Sequence, residues 1–149
     1  YLQYDAQGRM LRQEAGNMIT VYSYRGDEEK PCLSETRTVE GVLRSRGTAE
    51  IDPSTGERTA NITVYDADGN EVYSTVDVTN ERGYTVSMDG ERWEWIYDDA
   101  AHTATCTRPD GSVDYYQFDE QGRVLSEKSL DPDGDLREIQ RTEYTDVTR

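Results

Sequence analysis

The feature that most constrains the fold of this chain is the regular return of glycine-containing turns along almost its whole length. Between the turns, short runs alternate in character, so that Val72, Val76 and Val78 share one face of an extended segment. A period of two bounded by turn residues is typical of antiparallel strands joined by tight hairpins. The turn signals are Asp68-Gly69-Asn70, Asn80-Glu81-Arg82-Gly83, Asp89-Gly90, Pro109-Asp110-Gly111, Glu120-Gln121-Gly122 and Pro132-Asp133-Gly134.

No segment shows an apolar helical period over a helical length. The sequence therefore predicts an all-β protein of consecutive antiparallel hairpins, arranged in a curved, repeat-built single sheet or a partly rolled sheet. The 149 residues suit one domain, 1–149, in which the region 25–60 fits the pattern poorly and is expected to be irregular.

Composition sharpens this prediction and excludes several partners. Asp and Glu number 31 against 16 Lys and Arg, a net charge of −15, and Leu, Ile, Val and Phe together number only 24. These values alone favour disorder, but 11 Tyr and 2 Trp offer large areas for burial. The charge repels phosphate backbones, so no nucleic-acid partner is expected. No stretch is long and apolar enough for membrane insertion.

A longer repeat overlies the turns. Three segments read aromatic-Asp-x-x-Gly-x-x-apolar: Tyr4 to Leu11, Tyr65 to Val72 and Phe118 to Leu125. The aromatic residue ends one strand, Asp and Gly form the turn, and the apolar residue opens the next strand.

These motifs resemble the YD-repeat, or RHS-repeat, family. The resemblance implies a bacterial secreted or cell-surface chain whose repeats form a long β-sheet that spirals into a shell, sometimes around a toxin. This chain would hold six or seven such units. The poorly fitting region 25–60 and the lack of a toxin-like segment favour a curved sheet or small repeat module over a closed shell.

An aromatic row is the one candidate ligand-binding site. Trp93, Trp95 and Tyr97 share a parity on one predicted strand, and Tyr115 lies one repeat later. Exposed aromatic rings can stack on sugars or peptides. A chain this poor in aliphatic residues also needs its aromatic residues as core, and both readings remain open.

The sequence predicts neither a catalytic site nor a metal site. Asp131-Pro132-Asp133-Gly134-Asp135 is acidic, but its glycine and its twelfth position, Thr142, do not fit an EF-hand. His102 lies about 13 Å along a strand from Cys106, too far to share a metal ion. No cofactor is expected.

The two cysteines, Cys32 and Cys106, form an even pair far apart in sequence. They would form one disulfide in an oxidising compartment, or remain two separate thiols.

We therefore expect a non-enzymatic extracellular or cell-envelope structural or interaction module whose partner is a protein or glycan at the cell surface. The alternative is a carbohydrate-binding module that uses the aromatic row. Residues 1–4 carry few charges for an edge strand, which predicts that the N-terminal edge pairs either with another copy of the protein or with a repeat that precedes it in the intact chain.

Overall fold

The computed structural model describes residues 1–144 and consists of β-strands joined by turns. Strands make up 57% of the described chain, and no helix occurs among residues 1–144. None of the described segments can therefore cross a membrane as an apolar helix. The predicted all-β class and the succession of antiparallel hairpins are confirmed.

The first sheet has nine strands, each hydrogen-bonded to the next strand in sequence. Its strands are β1 (Leu2–Tyr4), β2 (Met10–Ala15), β3 (Met18–Ser23), β4 (Leu33–Thr38), β5 (Leu43–Ile51), β6 (Arg58–Tyr65), β7 (Glu71–Thr79), β8 (Thr85–Met88) and β9 (Glu91–Arg92). The second sheet has five strands in the same consecutive order. Its strands are β10 (Glu94–Asp98), β11 (Thr103–Thr107), β12 (Val113–Phe118), β13 (Val124–Leu130) and β14 (Leu136–Arg141).

The strands thus divide between two sheets, where the sequence predicted one sheet in one domain. The described chain forms two compact units, Tyr1–Gly90 and a second that begins at Glu91. The ladder of the first sheet shortens before this boundary, because β8 pairs with the nine-residue β7 at only three positions. Asp89 and Gly90 both have positive φ and form the tight turn that ends the first unit.

The region 25–60, expected to be irregular, contains regular strands. β4 pairs with β3 at six consecutive positions without a shift in register, and β5 pairs with β6 at seven. The irregular part is confined to the loop between β3 and β4 and to the turn before β6. Pairing with neighbouring strands orders residues whose own sequence lacks the repeat motif.

One turn geometry recurs throughout both units. The first residue of the turn donates its N–H to the carbonyl of the fifth, and the fourth residue, a glycine, donates to the carbonyl of the first. Each of these glycines has a positive φ, as expected for a three-residue hairpin loop with a glycine bulge. The turns span residues 5–9, 38–42, 66–70, 80–84, 108–112, 119–123 and 131–135.

Little apolar surface is buried in either sheet. Among the described residues, the buried hydrophobic side chains are Ala49, Val86, Ala104 and Cys106. Larger apolar side chains such as Val72 and Ile96 are exposed. The backbone ladders and the turns therefore carry a larger share of the stability than in a two-layer domain.

Candidate interaction surface

Four aromatic side chains lie together on one face of the second sheet. Trp95 pairs across the ladder with Cys106, and Tyr116 pairs with Ala104 on the other side of the same strand, β11. The Trp95 and Tyr116 ring centroids are 5.4 Å apart, so the two rings meet above β11. This explains why Ala104 and Cys106 are only 2% and 1% exposed. Trp95, Tyr97, Tyr116 and Phe118 are called the aromatic cluster below.

The rings of the aromatic cluster stack on each other along their strands. Trp95 and Tyr97 are 5.9 Å apart with planes 6° from parallel, and Tyr116 and Phe118 are 6.2 Å apart at 15°. At these distances parallel rings are offset-stacked, so ring faces contact neighbouring rings. A sugar-binding platform needs free ring faces. The geometry therefore favours packing within the sheet, where all four residues are half-buried.

The structure brings together only two of the four predicted ligand-binding residues. Trp95 and Tyr97 are both in the aromatic cluster, whereas Trp93 lies between β9 and β10 and belongs to neither strand. Tyr115 is 41% exposed on the opposite face, beside Thr105 and Lys128.

Tyr116 and Phe118 complete the aromatic cluster, although the sequence pattern did not indicate them as ligand-binding residues: Tyr116 contacts Trp95, and Phe118 stacks on Tyr116. Their shared parity on β12 was visible in the sequence. Their match to Trp95 and Tyr97 depends on the register of β11 between them.

An ion pair between buried Asp114 and partly exposed Arg108 adjoins the aromatic cluster. Arg108 Nε is 2.6 Å from Asp114 Oδ2, and Arg108 Nη2 is 2.9 Å from Oδ1. Asp114 is 3% exposed and lies opposite Cys106. Burial, reinforced by the negative charge of Asp114, raises the pKa of the Cys106 thiol to about 11. Cys106 is thus a thiol at neutral pH and a poor nucleophile.

Tyr116 adds a polar contact to the same region. Its hydroxyl donates a hydrogen bond to Glu127 Oε1 at 3.2 Å. Burial and the negative charge of Glu127 raise the pKa of Tyr116 above its usual value. This phenol is therefore fixed as a neutral donor.

Both cysteines are free thiols in the structure and lie in different compact units, so the disulfide between them stays a prediction. Cys32 is half-buried next to β4, and Cys106 is buried in β11. Among residues 1–144, no three His, Cys, Asp or Glu side chains come together as a metal site. His102 lies in the turn before β11 at a φ of 53°.

Two turns of the repeat carry an identical charged clamp. Asp5 Oδ1 accepts the backbone N–H groups of Gln7 and Arg9, and Oδ2 accepts the Arg9 Nε at 2.7 Å. The Arg9 guanidinium lies 4.6 Å from the centre of the Tyr24 ring. Desolvation raises the pKa of Asp5, but the bonds from Arg9 and Gln7 outweigh it and lower the pKa below its ordinary value.

The second clamp repeats every one of these contacts. Asp119 Oδ1 accepts the N–H groups of Gln121 and Arg123, and Oδ2 accepts the Arg123 Nε at 2.6 Å. The Arg123 guanidinium lies 4.2 Å from the centre of the Tyr144 ring. The sequence motif identified both aspartates and both glycines. It did not indicate that Tyr24 and Tyr144, a hairpin away, stack on these arginines.

The sheets end in strands with one open edge. Within residues 1–144, β1 pairs only with β2, and β14 pairs only with β13. Leu2 and Tyr4 on β1 are 51% and 50% exposed. Open edges present unpaired backbone donors and acceptors, which suits the addition of another strand.

No protein-family model, no curated protein and no solved structure matches this sequence.

Proposed function

We propose that this chain is a non-enzymatic structural or interaction module of a secreted or cell-surface bacterial protein, built from YD-like repeats. One observation carries the proposal. The three motif turns, at Asp5, Asp66 and Asp119, have the same backbone hydrogen bonds, and each aspartate accepts the N–H groups of the residues two and four positions later. The motif is therefore a device for building hairpins in series.

The Cys106 thiol and the Asp66 carboxylate, two groups that could be reactive, both have structural roles. The Cys106 thiol is buried with a raised pKa. Bonds from Asn70, above all its backbone N–H, lower the pKa of Asp66, so this carboxylate is an acceptor for the turn rather than a proton donor at neutral pH. These assignments support a structural or interaction role that depends on the protein surface and not on a reactive group.

The proposed location outside the cell rests on the family resemblance and on the high negative charge, which favours solubility. Antibodies raised against the purified chain should label intact source cells, and protease added to those cells should remove the label. Labelling that appears only after permeabilisation would contradict the proposed location.

A carbohydrate-binding module is the second candidate, because four aromatic rings share one sheet face. A glycan array compares the wild-type chain with Trp95→Ala and, as a control on the opposite face, Tyr115→Ala. We expect no saturable binding, since the ring faces stack on one another. Saturable binding that Trp95→Ala abolishes and Tyr115→Ala preserves would favour the carbohydrate-binding module over the scaffold.

A further inference from the structure

The two ends of the described chain are copies of one structural element. The segments 1–11 and 115–125 are identical at Tyr1 and Tyr115, Gln3 and Gln117, Asp5 and Asp119, Gln7 and Gln121, Gly8 and Gly122, Arg9 and Arg123, and Leu11 and Leu125. Both contain the clamp, and the register shifts at the same position, between Gln3 and Tyr4 and between Gln117 and Phe118. β1 therefore corresponds to β12.

The correspondence extends through the following hairpin. In each copy, the clamp arginine stacks on a tyrosine that follows the third strand: Tyr24 after β3 and Tyr144 after β14. The series β1-β2-β3 thus corresponds to the series β12-β13-β14, except that the pairing of β13 with β14 shifts register between Glu127 and Lys128 and the pairing of β2 with β3 does not. In each three-strand series, one edge is open and the equivalent edge of the other series is paired, so the paired edge shows which kind of strand the open edge can bind.

In each case the matching edge is occupied by an antiparallel strand. The edge of β12 that corresponds to the open edge of β1 is paired with β11, and Gln117, the equivalent of Gln3, lies opposite Thr103. The edge of β3 that corresponds to the open edge of β14 is paired with β4 at six positions. The edges of β12 and β3, which are equivalent to the open edges of β1 and β14, are therefore both paired with a neighbouring strand in this fold.

We propose that β14 of one copy of this chain pairs antiparallel with β1 of a second copy, so that copies associate head to tail. The inference deepens the proposed role as a repeat module and rests on it. One such contact covers the outer edge of β14 and the outer edge of β1 together, and it is heterologous, which leads to rings or open chains rather than to a closed two-fold dimer.

The side chains favour this pairing over the like-with-like alternatives. β1 carries no charged side chain and exposes Leu2 and Tyr4, so it lacks the protection that edge strands usually have. β14 carries Arg137, Glu138 and Arg141, which discourage pairing of two β14 strands but not pairing with an uncharged one. The net charge of −15 opposes any association, so added salt should strengthen it.

Proline substitutions can block each edge without breaking the sheet. Tyr1 and Glu14 exchange both backbone hydrogen bonds, so by alternation the N–H of Leu2 points outward. Asp131 donates to Asp135 in the β13–β14 turn, which by the same alternation directs the N–H of Glu138 outward. Leu2→Pro and Glu138→Pro remove these donors only, and Leu2→Val and Glu138→Gln are controls that keep them.

Sedimentation velocity of the purified chain over a concentration series tests the proposal. We expect the wild type and both controls to grow beyond dimers with concentration, and each proline variant alone to remain monomeric. An equimolar mixture of the two proline variants should form dimers and nothing larger, because each variant retains the edge that the other lacks. Recovery of the dimer also shows that both variants are folded.

Three results would overturn the proposal: a wild-type chain that is monomeric throughout, a proline variant that dimerises alone, or a mixture that stays monomeric. Dimers of Glu138→Pro alone would instead show that the chain associates through an edge other than that of β14. A monomeric wild-type chain whose antibodies label intact cells refutes this inference and leaves the proposed function standing. Association of a chain found only inside cells refutes the proposed function alone.

Discussion

At the scale of single residues, the turn carboxylates stabilise the hairpin turns through specific hydrogen bonds. Asp119 uses one oxygen for two backbone N–H groups and the other for Arg123. A neutral side chain can also accept the two backbone hydrogen bonds, since Asn80 Oδ1 accepts the N–H groups of Arg82 and Tyr84 in the same geometry. The capping function therefore belongs to the acceptor oxygen, and the charge adds the arginine clamp.

Substitution at Asp119 should separate these two contributions. Asp119→Ala removes the acceptor of two backbone N–H groups and breaks the ion pair with Arg123, so we expect a clear fall in the urea midpoint. Asp119→Asn keeps the backbone acceptor and should lose distinctly less. The control is Glu120→Ala, an exposed position in the same turn. Equal losses in Asp119→Ala and Asp119→Asn would show that the ion pair, and not the cap, holds the turn.

The two thiols should differ sharply in reactivity. Cys106 is 1% exposed and its pKa is raised to about 11, whereas Cys32 is half-buried. With a disulfide-forming reagent near pH 8, we expect one thiol per chain to react promptly and the second only on unfolding. Cys32→Ser should abolish the prompt reaction. A chain that shows no reactive thiol before reduction would establish the disulfide instead.

At the scale of structural elements, the hairpin turns depend on glycine at one position. Gly122 has a φ of +79°, and nothing lies within 4 Å of the place where a Cβ would be. The cost of Gly122→Ala is therefore purely a backbone cost, about 1–2 kcal/mol. Gly122→Asn should cost less, because asparagine tolerates the left-handed conformation. Chemical denaturation measures both, and an unchanged stability in Gly122→Ala would mean that the turn can adopt another geometry.

The sequence predicted the elements well because hairpin turns are local. The residues that set the φ of Gly122 and the cap of Asp119 lie within five positions of each other. The aromatic cluster was predicted only in part, because the placement of Trp95 beside Tyr116 and not Tyr115 depends on two inter-strand registers. Alternation shows which side chains share a face of one strand. It does not show which face of the next strand lies beside it.

At the scale of the whole molecule, the turn carboxylates add up to a pH dependence. Desolvation raises the pKa of each of five turn aspartates and is the largest single cause in Asp5 and Asp119. Hydrogen bonds outweigh it in all five and lower the pKa below the ordinary 3.8. The five are Asp5, Asp52, Asp66, Asp110 and Asp119. The unfolded chain therefore binds protons first as the pH falls. Their stabilisation is complete well above pH 3.8 and is lost as the pH falls through the lowered values.

Urea unfolding at a series of pH values between 5 and 2 should show this loss of stability. Asp119→Asn removes one of these five aspartates with a lowered pKa, so its curve should fall less steeply than that of the wild type. Parallel curves for the two proteins would show that Asp119 has the same pKa in the folded and unfolded states.

The scarcity of buried apolar surface should leave a calorimetric signature. Unfolding raises the heat capacity mainly by exposing apolar area to water, and ordinary domains gain about 12–15 cal/mol/K per residue. In this chain large side chains such as Val72, Ile96 and Leu136 are already exposed in the folded state. We expect a heat-capacity increment per residue clearly below that range, together with a low urea m-value, because both quantities follow the newly exposed area. Scanning calorimetry on dilute protein, where head-to-tail contacts have dissociated, gives the relevant value. An increment within the ordinary range at that dilution would mean that these side chains are covered in solution by packing within a single copy.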